Sequence, residues 1–168
     1  TSLEGVLDGT PLPVTVALQA RANAQQLDIT RLSAQSRGAS ADLSALVQQA
    51  GPQRWQARTE GRLAGFDPVA WFPGTPGSAW RRGPHRLNAA WKADVSAPRG
   101  VFKVEPLQWL QSLQGTGSLQ VENSLVAGVP VQGQVRLRLD EASPAGQRSR
   151  MEGELRLGRN VLSLSGAG

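Results

Sequence analysis

The chain has 168 residues, no cysteine, a single histidine (His85) and a formal net charge of +5. This excludes a disulfide framework, a thiolate metal site, a cysteine nucleophile and any site built from several histidines. No apolar run approaches the ~20 residues that a membrane-spanning helix needs. Leu, Val, Ile and Phe together supply only 39 of the 168 residues, while Gly (19) and Pro (11) are abundant for a helical domain. The expected core is therefore thin, nearer to one buried sheet face than to a large globule. A start at Thr1 without Met and an end at Gly168 in mid-pattern lead to the expectation of an internal segment of a longer protein.

Taken in order, the residues alternate with period two through most of the chain. Val14, Val16, Leu18 and Ala20 share one face, opposite Thr15, Gln19 and Arg21. Leu27 and Ile29 start a second strand, but Leu32 and Ala34 fall on the other parity, which fits a bulge near Thr30–Arg31 or a bend. Ala39 to Val47 begins as a strand, although Leu43, Leu46 and Val47 would also suit one helical turn; Gly51–Pro52 ends it. Residues 54–63 read as another strand. In Gly65-Phe66-Asp67-Pro68-Val69-Ala70-Trp71-Phe72-Pro73-Gly74, Asp67 is a candidate N-cap with Pro68 at the first helical position, and a loop follows to Pro84.

Strand pattern resumes at Leu87, Ala89, Trp91, Ala93 and Val95. Leu107, Leu110 and Leu113 have helical spacing and predict a short helix over 106–113. Val129, Val131, Val135, Leu137 and Leu139 then alternate with Gln132, Gln134, Arg136 and Arg138. After a turn at Ser143–Gly146, Met151, Leu155 and Leu157 alternate with Glu152, Glu154 and Arg156, and Gly158–Asn160 turns into a last strand at Leu162 and Leu164. The pattern predicts an all-β chain of roughly seven to ten strands with one or two short helical insertions. The organisation is 1–64 strand repeats, 65–86 a helix and loop insertion, and 87–168 strand repeats.

Little in this pattern offers catalysis. His85 lies in Arg81-Arg82-Gly83-Pro84-His85-Arg86 without evident partners. Asp140–Glu141, Glu152 and Glu154 lie at strand ends or on polar faces, and no phosphate-loop, nucleophile-elbow or dinucleotide fingerprint is present. The chain is not read as an enzyme, and no catalytic, cofactor-binding or metal-ligating residue is expected. The positive charge concentrates in the middle third at Arg54, Arg58, Arg62, Arg81, Arg82 and Arg86. No nucleic-acid reader motif accompanies it, so nucleic acid is not an expected partner. All five tryptophans (Trp55, Trp71, Trp80, Trp91 and Trp109) fall in residues 55–109, where they serve either as core or as a binding platform.

Strands with one aliphatic face need an apolar cover, either a second sheet in a closed sandwich or lipid. Here a resemblance bears on the choice. Trp55-Gln56-Ala57-Arg58, the stretch Gly65 to Gly74 and its continuation Pro76 to Leu87 resemble the TamB family, the inner-membrane component of the translocation and assembly module. Leu7-Asp8-Gly9-Thr10-Pro11-Leu12 and Gly153 to Leu162 are similar to that family's strand–turn–strand units.

The resemblance implies an elongated, folded-over β-sheet, a β-taco-like hydrophobic groove, in the periplasmic portion of a single-pass inner-membrane protein reaching toward the outer membrane. It implies phospholipid transport of the AsmA-like, bridge-like kind, outer-membrane protein assembly, or both. The implied partners are phospholipid acyl chains and, through parts absent here, an Omp85-type barrel such as TamA or a BamA-like protein. On this reading the groove is lined by Val14, Val16, Leu18, Leu87, Trp91, Val95, Val131, Val135, Leu137, Leu139, Leu155 and Leu157. The alternative is a closed β-sandwich adhesion or ligand-binding module that uses the Trp and Arg of residues 54–91.

Overall fold

Ten strands in one antiparallel sheet make up the computed structural model, which describes residues 2–7, 10–70, 75, 77–78, 81–99, 113–140 and 149–167. They are β1 (Ser2–Leu7), β2 (Thr10–Ala22), β3 (Gln26–Ser36), β4 (Ala39–Gln49), β5 (Arg54–Phe66), β6 (Leu87–Pro98), β7 (Gln114–Val126), β8 (Val129–Leu139), β9 (Ser149–Leu157) and β10 (Asn160–Ala167). Each strand pairs with its neighbours in sequence, so the sheet is an uncrossed meander with β1 and β10 as its open edges. The expected all-β, elongated sheet is what the chain forms. All ten strands belong to one sheet, whereas a closed sandwich needs two.

Local chemistry fixes the hairpins. β3 and β4 are joined by Arg37–Gly38 (φ 46° and 82°), and β7 and β8 by Ala127–Gly128 (φ 50° and 78°). Two consecutive positive φ values are the two-residue turn whose twist matches that of the strands it joins. Between β2 and β3, the Asn23 side chain accepts from the Gln25 N–H at 2.9 Å, an Asx turn that shortens the reversal.

The parity slip in the third strand is a bulge. Ile29 pairs with Ala45 and Leu32 with Leu43, so three steps along β3 match two along β4. The extra residue returns Leu32 and Ala34 to the face that carries Leu27 and Ile29. Ala39 to Val47 is strand throughout, not a helical turn, because both sides of β4 are occupied by ladders to β3 and β5. β5 and β7 carry equivalent bulges, between Leu63 and Phe66 and between Val121 and Ser124.

After β5, the Asp67 carboxylate accepts from the Val69 N–H at 2.9 Å and caps a 3-10 turn at Pro68–Ala70, as the Asp-Pro pair predicts. The end of the insertion is tied to the sheet: Arg86 exchanges backbone hydrogen bonds with Leu125 at 3.0 and 2.8 Å, and the Gly128 N–H donates to Pro84 at 2.9 Å. Trp71–Gly74, the helix expected over 106–113 and the turn at Ser143–Gly146 lie outside the described residues, except for Leu113, which precedes β7.

Candidate functional site

Paired residues in an antiparallel ladder point to the same side, so the register traces each face across the sheet. One row runs Val16, Ala34, Ala41, Leu63, Ala89, Val121, Gly133, Leu155, Leu162 from β2 to β10. The next runs Leu18, Leu32, Leu43, Gly61, Trp91, Leu119, Val135, Gly153, Leu164. A third passes through Ile29, Ala45, Thr59, Ala93, Gly117, Leu137 and Met151, and a fourth through Leu27, Val47, Ala57, Val95, Gly115 and Leu139. These rows are aliphatic, small or aromatic almost without exception.

All twelve residues expected to line a groove stand on this apolar face. Val14 continues the β2 alternation, Leu87 pairs with Phe66, and Leu157 pairs with Val131. The three bulges make the face continuous, because without them parity would turn Leu32, Phe66 and Ser124 to the other side.

The face is dry in its chemistry yet uncovered. Three hydroxyls on it are turned back to backbone: Ser36 Oγ donates to Pro13 O at 2.8 Å, Thr59 Oγ1 to Ser44 O at 3.1 Å and Ser124 Oγ to Asn88 O at 3.0 Å. Spending those donors on carbonyls removes polar atoms from the surface. Among the described residues no large side chain is fully buried. Leu18 is 59% exposed and Leu119 40%, values that fit one layer with nothing packed on it. Trp91 shields the middle of the face by lying over Gly61, where a Cβ would come within 2.7 Å of Trp91 Cη2.

The opposite face is polar and holds the cavities. One of about 830 Å³ is bordered by two adjacent ranks, polar but for Leu46, and the backbone between them. One rank is Asp28, Leu46, Arg58, Asp94, Thr116, Arg138, Arg150; the other is Ser44, Glu60, Lys92, Ser118, Arg136, Glu152. Of the twelve expected lining residues, Leu137 alone borders this space, between Arg136 and Arg138. Trp91 borders a second cavity of about 730 Å³.

Ion pairs order this face: Arg58–Asp94 at 2.8 Å, Lys92–Glu60 at 3.3 Å, Arg31–Asp42 at 3.6 Å and Arg156–Glu154 at 3.0 Å. The Gln56 amide, donating to Asp94 at 2.9 Å, does most to hold the Asp94 carboxyl below its ordinary value; burial pushes the other way, and the hydrogen bond and charge of Arg58 add to the lowering.

The middle-third arginines do not form one patch. Arg54 bonds Ser96 at 2.9 Å and Gln114 at 2.6 Å, and Arg58 is committed to Asp94. Arg81 and Arg82 hold carbonyls of the insertion, Val69 O at 3.4 Å and Gly77 O at 3.1 and 3.0 Å. His85 accepts from the Ala127 N–H through Nδ1 at 3.3 Å and so supports the β7–β8 turn.

Sequence reasoning missed the assembly of Arg136, Arg138 and Arg150 with Thr116 and Ser118. Its one signal was the Arg-x-Arg alternation on β8, and the register that sets Arg150 opposite Arg138 depends on the length of the intervening loop. Among the described residues no helix is long and apolar enough to cross a membrane. No family model, no curated protein and no solved structure matches this chain.

Proposed function

We propose that the chain is a groove segment of a TamB-like, periplasm-spanning protein, and that its apolar sheet face carries phospholipid acyl chains between the inner and outer membranes. One observation carries the reading. Four rows of aliphatic, small or aromatic residues, with Thr59 as their polar member, cross most of the sheet, and no second sheet covers them among the described residues. Acyl chains laid on such a face leave water with a gain of ~0.8 kcal/mol per CH₂, while the head groups stay solvated at the margins. The work is passive shielding, with no bond made or broken. Support for outer-membrane protein assembly belongs to the same proposal, since the edge of a nascent barrel strand is also apolar on one face. Docking to an Omp85-type barrel would use parts of the protein outside this sequence.

The test is native mass spectrometry of the chain purified from cells, with lipid extraction. Co-purified phospholipid that is lost on Val135→Arg and kept on Gln134→Arg supports the reading, because these adjacent residues stand on opposite faces. Equal effects from both substitutions, or a lipid-free protein, overturn it.

A further inference from the structure

On the polar face, away from the surface proposed for acyl chains, we infer that Arg138 and Arg150 bind a phosphate-type oxyanion together with Arg136 and the hydroxyls of Thr116 and Ser118. Arg138 and Arg150 are direct register partners on β8 and β9, the placement in which like charges repel. Arg136 lies two residues from Arg138 and therefore on the same face. Across β7, Thr116 pairs with Arg138 and Ser118 with Arg136. All five border the 830 Å³ cavity.

Charge compensation divides that cavity in two. On its β5–β6 side the ions pair off, Arg58 with Asp94 and Lys92 with Glu60. On its β8–β9 side Arg138 Nε is held by Asp140 at 2.8 Å, but no ion pair involves Arg136 or Arg150 among the described residues. With the Gln134 amide turned to present its oxygen, Arg136 Nε donates to it at 3.1 Å, a neutral partner. Glu152, opposite Arg136, borders this corner, and Asp94, opposite Thr116, is already paired with Arg58. Three arginines and two hydroxyl-bearing residues thus border one open space, with Glu152 and the Arg138-bound Asp140 as their acidic neighbours. Planar guanidinium forks match the oxygens of a phosphate, and a dianion placed between Arg138 and Arg150 turns their repulsion into attraction.

The chemistry is that of a phosphate monoester or inorganic phosphate, or of a phospholipid head group, and the sources are separable. Inorganic phosphate and glycerol 3-phosphate are titrated into the full chain at low salt while the Arg Nε–H resonances are followed by NMR. Sedimentation with phosphatidylglycerol vesicles, against phosphatidylcholine vesicles, is measured in parallel.

Saturable shifts at Arg138 and Arg150 are expected. Arg150→Gln should weaken binding about tenfold, the loss of one charge-assisted contact, and Arg62→Gln, the same charge change elsewhere on this face, less than about twofold. Arg150→Gln should also raise the unliganded Tm by about 1–3 °C through relief of repulsion, so lost binding is not lost folding. Phosphate binding without vesicle binding assigns a soluble ligand, and selective binding to phosphatidylglycerol vesicles that Arg150→Gln abolishes assigns a head group. Equal losses from Arg62→Gln and Arg150→Gln, or no saturable shift and no selective sedimentation, overturn the site.

Discussion

The main-chain N–H of Asn88 donates to the Ser124 hydroxyl at 2.8 Å, and that hydroxyl returns a hydrogen bond to the Asn88 carbonyl at 3.0 Å. The Asn88 side chain reaches both bulges beside it. Its Oδ1 accepts from the Gly65 N–H at 2.8 Å on the β5 side, and its Nδ2 donates to Asn123 O at 2.6 Å on the β7 side. Each bulge frees backbone groups from the ladder, and one asparagine with one serine, itself only 2% exposed, takes them up.

Ser124→Ala should therefore cost about 1–3 kcal/mol, the penalty of leaving backbone groups at the bulge without a partner. Asn88→Ala should cost at least as much, and the double substitution less than the two added, because both act on the same groups. Urea unfolding followed by circular dichroism measures all three. Strict additivity would show that the two residues do not support one junction.

Trp91 and Gly61 face each other across β5 and β6, and the indole fills the space a side chain at residue 61 would need. Gly61→Val should push the ring off the sheet and cost about 1–3 kcal/mol, with a red shift of Trp91 emission. The comparison is made with the other tryptophans replaced by Phe. Unchanged emission and stability would mean the ring does not rest on the glycine.

How far the sequence carried this picture depends on what each feature requires. The two-faced alternation needed no knowledge of partners, so Val131 to Leu139 and Leu87 to Val95 were legible as strands and as one face. The parity slip at Leu32 was legible as either a bulge or a bend, and the ladders to β2 and β4 decide for the bulge. Asp67-Pro68 announced its cap because both residues act within three positions.

What stayed hidden needed pairing between distant strands. Ser124 reads as a polar interruption in β7 until the bulge turns it to the apolar side, where Asn88 meets it. Arg136, Arg138 and Arg150 read as solvated surface until the register sets two of them side by side. Ala39 to Val47 was ambiguous because alanine and leucine serve either structure, and the neighbouring ladders decided it.

Asp94 gives the polar face a pH dependence. Its carboxyl is held below the ordinary value by Gln56 first and Arg58 second, so the folded state binds its proton less readily than the unfolded chain. The stabilisation is fully present above the unfolded carboxylate pKa of about 3.9 and is lost as pH falls through the lower folded value. Its size is below about 1 kcal/mol, because the side chain is 45% exposed and the pair is screened. A carbon-13 titration of the Asp94 carboxyl should show its midpoint move up in Gln56→Leu and again in Arg58→Gln. A midpoint that ignores both substitutions would mean the carboxylate is solvated instead.

Thr30 is the sharpest test of how the apolar face is kept continuous. It is the extra residue of the β3 bulge, and its hydroxyl donates to Gln19 O at 3.1 Å at an exposed position. Thr30→Ala removes only that bond and should cost less than about 1 kcal/mol. Deleting Thr30 is a different perturbation. With the count restored to one residue per step, either Leu27 and Ile29 or Leu32 and Ala34 must turn to the polar side, since a one-residue slip inverts every side chain beyond it. Breaking the aliphatic rows and setting Asp28 or Arg31 among them should cost about 1–3 kcal/mol, well beyond Thr30→Ala. Urea unfolding, together with amide exchange in β2, β3 and β4, reads this out. A deletion variant as stable as Thr30→Ala would show that the edge hairpins slide freely, and that the aliphatic rows are not held in register by the bulge.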